Sequence, residues 1–138
     1  MKHLIAIPCF NCESQIPRVL SKLSKTKLDE NSTVLIINNR SSDKTQSVAL
    51  DIISQKELSL NYKIILNDEN YRLGGSQKIA IKYALENHFD YITILHGDDQ
   101  ASVNEINDLL ALAIKKSCSV LGSRFMIKSK RLGYQKTR

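Results

Sequence analysis

The chain of 138 residues is long enough for one domain with a buried core and too short for two ordinary ones. Apolar residues make up 42% and charged residues 25%, the profile of a soluble globular protein, and an odd count of three cysteines argues for a reducing compartment over a disulfide framework. No apolar run approaches the roughly 20 residues of a membrane span, the N-terminal apolar stretch is too short for a secretory signal, and the absence of tryptophan disfavours a stacking platform for nucleic acid.

Leu4 to Pro8 reads as a compact apolar strand. Ile16, Val19, Leu20 and Leu23 then recur at the spacing of one helix face, with Pro17 near the helix start where its missing N–H costs nothing. Thr33 to Ile37 is a second strand, and Val48, Ala49, Ile52 and Ile53 mark a second helix. Tyr62 to Leu66 is a third strand. Gly74-Gly75 opens a third helix, with Ala80, Tyr83 and Ala84 inward, and Tyr91 to Leu95 is a fourth strand. Ser102-Val103-Asn104-Glu105 has the form of a capping box ahead of Ile106, Leu109, Leu110 and Ala113, and Ser119 to Leu121 is a fifth strand. Five apolar strands alternating with four helices predict a single α/β unit over residues 1–138, with a mostly parallel sheet covered on both faces.

The formal charge of +6 is local. Residues 1–123 balance to zero, so the whole excess lies in the basic segment 124–138, with Arg124, Lys128, Lys130, Arg131, Lys136 and Arg138 and no acid. That pattern suggests an anion site or contact with a membrane surface, against the alternative of a solvated tail.

Ligands in such sheets bind beyond the carboxyl ends of the strands. Those ends carry Pro8-Cys9-Phe10-Asn11-Cys12-Glu13, Asn38-Asn39-Arg40-Ser41-Ser42-Asp43, His96-Gly97-Asp98-Asp99-Gln100 and Gly122-Ser123-Arg124. Asp98 and Gln100 lie two apart, which in an extended chain points both to one side, and their oxygens suit Mg²⁺ or Mn²⁺. The competing reading makes the acids loop residues that favour the next helix's positive end. Cys9 and Cys12 form a C-x-x-C. A thioredoxin-like redox site needs a later proline to face the dithiol, and the only prolines are Pro8 and Pro17. Zinc is also disfavoured, with Cys118 the one remaining thiol. Gly74-Gly75 either admits a phosphate to backbone N–H groups or serves the turn and tight packing. The dinucleotide fingerprint, the Walker A loop and a readable Ser-His-Asp set are all absent.

Taken together, these segments resemble the N-terminal, donor-binding part of the family 2 glycosyltransferases, which have a GT-A fold, a Rossmann-like three-layer α/β/α arrangement. The branch around dolichol-phosphate mannose synthase and other polyprenyl-phosphate sugar transferases is the nearest likeness. IAIPCFNCE is similar to the family's strand and P-x-Y-N-E, IINNRSSDKT to V-D-D-G-S-x-D-x-T, and NYRLGGSQKIAIKYAL to N-x-G-x-G-x-A. ILHGDDQ is similar to D-A-D-x-Q, and VLGSRF to the G-S-R that follows, all in family order.

The resemblance implies an inverting, metal-assisted transfer from a UDP- or GDP-sugar to a polyprenyl phosphate or a glycan. It implies no nucleic-acid partner, and a cytoplasmic setting, at the inner face of the cell membrane if the tail meets lipid, in cell-envelope polysaccharide synthesis. Pro8, Phe10, Asn11, Glu13, Asn39, Ser41, Gly74, His96 and Gly97 would line the nucleotide-sugar site, with Asn39 toward the base. Asp98 would hold Mg²⁺ or Mn²⁺ with help from Gln100, and Arg124 would meet a phosphate. No catalytic base is implied, because the acceptor half of the family's domain lies beyond these motifs and the chain reads as truncated. Asn38, Asn39, Arg40 and His96 depart from the family's acids and glycine. Those departures leave the base undetermined and keep an inactive truncated enzyme, or a sugar-nucleotide-binding module without catalysis, as the alternative. A nucleotidyltransferase would need a lysine-bearing glycine-rich loop after the first strand, which is absent.

Overall fold

The computed structural model describes residues 1–55 and 60–123. Four parallel strands, β1 (His3–Cys9), β2 (Ser32–Asn38), β3 (Asn61–Leu66) and β4 (Tyr91–Ile94), form one sheet in the order β3-β2-β1-β4. The connections carry α1 (Ile16–Lys25), α2 (Thr45–Ser54) and α3 (Arg72–Glu86), and α4 (Ile106–Lys116) follows β4. β1 is central and buried at every residue, in register with β2 from His3 opposite Ser32 to Cys9 opposite Asn38.

Alternation along β1 and β2 divides the core into two layers. Ile5, Ile7, Val34 and Ile36 meet Ile16, Val19, Leu20 and Leu23 of α1 and Ala49 of α2. Leu4, Ala6, Leu35 and Ile37 face α3 through Ala80 and Ala84, whose short side chains let that helix lie close to the sheet. The expected parallel α/β sandwich is therefore present.

Three expectations are corrected. Ser119 to Leu121 form no strand, so the described residues hold four strands and not five. α4 closes on Ser117 in a left-handed conformation, with φ 48°, and the chain leaves it with Leu121 almost fully exposed, so nothing buries a short fifth strand. Ser102 to Glu105 is not a capping box: buried Val103 turns into the core, residues Val103–Glu105 form one 3₁₀ turn, and the Ser102 side chain caps nothing. The third helix starts at Arg72, two residues before Gly74. Its tight position is Gly75, where an added Cβ would lie 2.3 Å from the Tyr71 Cβ, whereas Gly74 faces open space.

His3 begins β1 with its ring buried and Nε2 2.8 Å from the Thr93 hydroxyl on β4. Burial lowers its pKa from 6.5 to about 4, against a smaller upward pull from Asp29. The unfolded chain thus takes up this proton first, and stability present above pH 6.5 is lost as the pH falls from 6.5 toward 4. The loss reaches about 3 kcal/mol. His3→Gln should flatten that part of the acid dependence in urea titrations at pH 7 and pH 4.5, and an unchanged slope would contradict the assignment.

Candidate functional site

The candidate residues gather at the carboxyl edge because the parallel ladder continues past the strands. Cys9 O accepts Asn39 N at 2.8 Å, Asn38 O accepts Asn67 N at 2.9 Å, and Pro8 O accepts Gly97 N at 3.1 Å. Each strand-end loop is therefore hung from its neighbour's last carbonyl.

Loops 10–15 and 39–44 are stitched together. Asn11 N donates to Ser41 Oγ at 3.0 Å, and Asn11 Oδ1 accepts Ser42 N at 2.9 Å. Glu13 N donates to Asp43 Oδ2, while Glu13 Oε2 accepts Lys44 N at 2.8 Å, placing a carboxylate at the start of α2 where the backbone N–H groups favour it. Asp43 also accepts from Thr45 N and its hydroxyl. Burial alone would raise its carboxyl, but these donors hold it below the usual carboxylate range. Asn11, Glu13 and Ser41, expected on the ligand, thus spend polar atoms on tying the two loops together.

Asn39 is 4% exposed. Its Oδ1 accepts Asn67 Nδ2 and Tyr71 N, both at 2.9 Å, and its Nδ2 donates to Asn70 Oδ1 at 2.7 Å. Asn70 Oδ1 in turn accepts Arg72 N. This knot sets the start of α3. It borders a pocket of about 350 Å³ lined by Pro8, Cys9, Phe10, Asn39, Asn70, Arg72, Leu73 and Ser76. Phe10 is half exposed there, an unspent aromatic face. Asn67, Asn70 and Arg72 were not anticipated as site residues; the asparagines clustered after an apolar strand were the available signal.

The β4 loop borders a second, larger groove of about 1190 Å³, which includes His96, Asp98 and Gln100 among its walls. Here the expected extended geometry fails. Asp99 turns left-handed at φ 60°, and Asp98 Oδ1 accepts Gln100 N at 3.2 Å, so 98 to 100 is a tight turn and the alternation of an extended chain does not apply. Asp99 anchors that turn to α1, 2.6 Å from Lys22 Nζ and 3.0 Å from Arg18 Nε. Partial burial raises the Asp99 carboxyl, but the two cations outweigh it and hold the group below the usual carboxylate range. Gly97 is buried against β1, where an added Cβ would lie 2.5 Å from Cys9 Sγ and 3.2 Å from Pro8 O. Gly74 is exposed at the outer turn of α3 and lines neither opening. Arg124 and the basic segment lie outside the described residues.

As a candidate cation site, the turn offers a solvent-facing carboxylate, Asp98, with Gln100 two residues on in the same turn. No cluster of three His, Cys, Asp or Glu able to hold a metal occurs among the described residues. A single carboxylate is the sparse hard-oxygen set that Mg²⁺ or Mn²⁺ uses when ligand phosphates and water complete its shell. The residues fit that role.

The chain is a parallel α/β sheet with a small pocket beyond the carboxyl ends of β1 and β2 and a larger groove along edge strand β4 that includes the Asp98 turn. Residues 4–138 match the model of glycosyl transferase family 2, and the chain belongs to that family. It is 30% identical over 105 residues to protein MJ0544 of Methanocaldococcus jannaschii, covering 75% of this chain and 43% of that protein. Among solved structures it is similar to Staphylococcus aureus TarS 1-349 in complex with UDP, at TM-score 0.65 and 23% identity, covering 83% of this chain and 32% of that one. It is also similar to the mannosyltransferase PcManGT of Pyrobaculum calidifontis in complex with GDP-Man and Mn²⁺, at TM-score 0.68 and 16% identity, covering 83% and 31%. The fold is the GT-A, Rossmann-like one. The chain spans less than half the length of these relatives.

Replacing Asn39 by alanine would strand the buried Asn67 Nδ2 donor and the half-buried Tyr71 N–H. The expected cost is about 3 kcal/mol. A urea midpoint for Asn39→Ala equal to that of the native chain would contradict the knot.

Proposed function

We propose that this chain is the donor-binding part of an inverting glycosyltransferase that takes a UDP- or GDP-sugar. The observation that carries the reading is the bond from Gly97 N to Pro8 O at 3.1 Å, which joins the turn that presents Asp98 to the wall of the Phe10 pocket. The base would lie on Phe10, with the Asn39 knot as a rigid floor and Arg72 at the rim. Its diphosphate would run toward the 96–100 turn. Asp98, aided by Gln100, would hold Mg²⁺ or Mn²⁺; when bound, the ion offsets the diphosphate charge that grows as the sugar leaves. Arg18 and Lys22 keep the turn in place through Asp99, so that Asp98 does not reorganise when the donor arrives. Relatives in complex with UDP, UDP-GlcNAc, GDP-Man and Mn²⁺ support a nucleotide-sugar donor.

For the acceptor we favour a polyprenyl phosphate over a glycan hydroxyl. A phosphate is already ionised and needs no base, whereas a hydroxyl requires one. The six cations of residues 124–138 suit a lipid phosphate at the inner, cytoplasmic face of an anionic membrane. This choice also corresponds to the dolichol-phosphate mannose synthase branch. A second reading, a module that binds the donor without transfer, draws on His96, which replaces the first acid of the metal motif with a neutral or cationic ring.

Calorimetry separates these ideas from their failure. Mn²⁺ should strengthen UDP or GDP binding to the native chain, and Asp98→Ala should lose at least about tenfold of that metal-dependent affinity. Undiminished Mn²⁺-dependent binding in the variant would remove Asp98 from the site.

A further inference from the structure

Cys9 and Cys12 are not used by the donor-site reading, yet they lie beneath it. Cys9 is the last residue of β1 and borders the small pocket, and Cys12 precedes α1. Both are free and buried. Their sulfurs meet at one point: a Cβ placed on Gly97 would lie 2.5 Å from Cys9 Sγ and 3.4 Å from Cys12 Sγ, so the two sulfurs are no farther apart than these distances combined. The intervening Phe10-Asn11 loop is one of the two that line the donor site, with Asn11 at φ 50°.

We propose that Cys9 and Cys12 are a peroxide-oxidisable dithiol whose disulfide closes the donor pocket. The nucleophile is Cys12. The neighbouring Cys9 sulfur and the Phe10 backbone draw the Cys12 pKa down against burial and the Asp43 and Asp98 carboxylates, while Cys12 and burial push Cys9 up, whose thiol donates to Ile7 O at 3.5 Å and keeps its proton. The Cys12 thiolate attacks hydrogen peroxide, forming a sulfenic acid and releasing hydroxide. The Cys9 sulfur then displaces the sulfenic oxygen, giving the Cys9–Cys12 bond, and the Cys9 proton and the displaced oxygen leave as water. Overall the two thiols lose two protons and two electrons, and one peroxide becomes two waters. A disulfide requires the two Cβ atoms within about 4.5 Å. Drawing them together pulls on a loop held by Cys12 N to Thr45 Oγ1 at 2.8 Å and by the Asn11–Ser41 bonds, and it withdraws sulfur from the Gly97 backbone beside Asp98. The coupling to the pocket rests on the donor-site reading; the disulfide does not.

The test uses Cys118→Ser, which removes the exposed third thiol. After hydrogen peroxide, the intact mass should fall by two hydrogens, Cys9 and Cys12 should resist alkylation in denaturant, and dithiothreitol should reverse both changes. Cys12→Ser in the same background should show none of this. UDP affinity with Mn²⁺ should drop about tenfold in the disulfide form, and by linkage saturating UDP should then raise the reduction potential by about 30 mV. Full alkylation of both cysteines after peroxide overturns the dithiol, and equal UDP affinity in the two forms overturns the closure. If neither form binds UDP, the donor-site reading falls and with it the closure, while the mass still decides the dithiol.

Discussion

The carbonyls of Pro8 and Cys9 are the contacts on which the site depends. They lie at the end of the central, wholly buried strand, and they accept Gly97 N on one side and Asn39 N on the other. β1 and β2 are held in register from His3 opposite Ser32 to Cys9 opposite Asn38, and each layer packs its own helices, α1 and α2 on one side and α3 on the other. Register therefore fixes where two loops from distant parts of the chain begin. Their side chains need only orient locally from there.

What those loops do with their polar groups follows a division of labour. Asn11, Glu13, Ser41 and Asn39 bind other loops, whereas Phe10 and Asp98 are left facing solvent. Several of these loops hold residues other than glycine at left-handed φ: Asn11 at 50°, Arg40 at 60°, Arg72 at 58° and Asp99 at 60°. Such conformations persist only where surrounding bonds over-determine them. Ser41 N on Asn38 Oδ1, Arg72 N on Asn70 Oδ1, and the Arg18 and Lys22 pairs on Asp99 supply those bonds. The strained turns and the open ligand-facing groups thus occupy the same edge.

The first four strands and all four helices were legible because continuous apolar runs and helical spacing both follow from burial, which the sandwich imposes on its elements. The Ser119 to Leu121 strand was misread because a short apolar run says nothing about whether a neighbour covers it. The extended reading of 98 to 100 failed at Asp99, where ion pairs to α1 hold a turn whose partners are about 80 residues away. The tight-packing reading of Gly74-Gly75 holds at Gly75, whose contact with Tyr71 leaves no room for a side chain, but not at Gly74. Which asparagines face a ligand and which face each other was beyond reach, since an amide donates and accepts in either role.

On the proposed reading, one donor with its ion spans the small pocket and the Asp98 turn. Paramagnetic broadening tests it most directly, because Mn²⁺ reports distance to every amide. With UDP present, Mn²⁺ should broaden the amides of residues 97–100 and 10–12 and leave those of 86–88, at the opposite end of α3, sharp. Broadening that ignores residues 97–100, or that appears equally across the chain with and without UDP, would contradict the account.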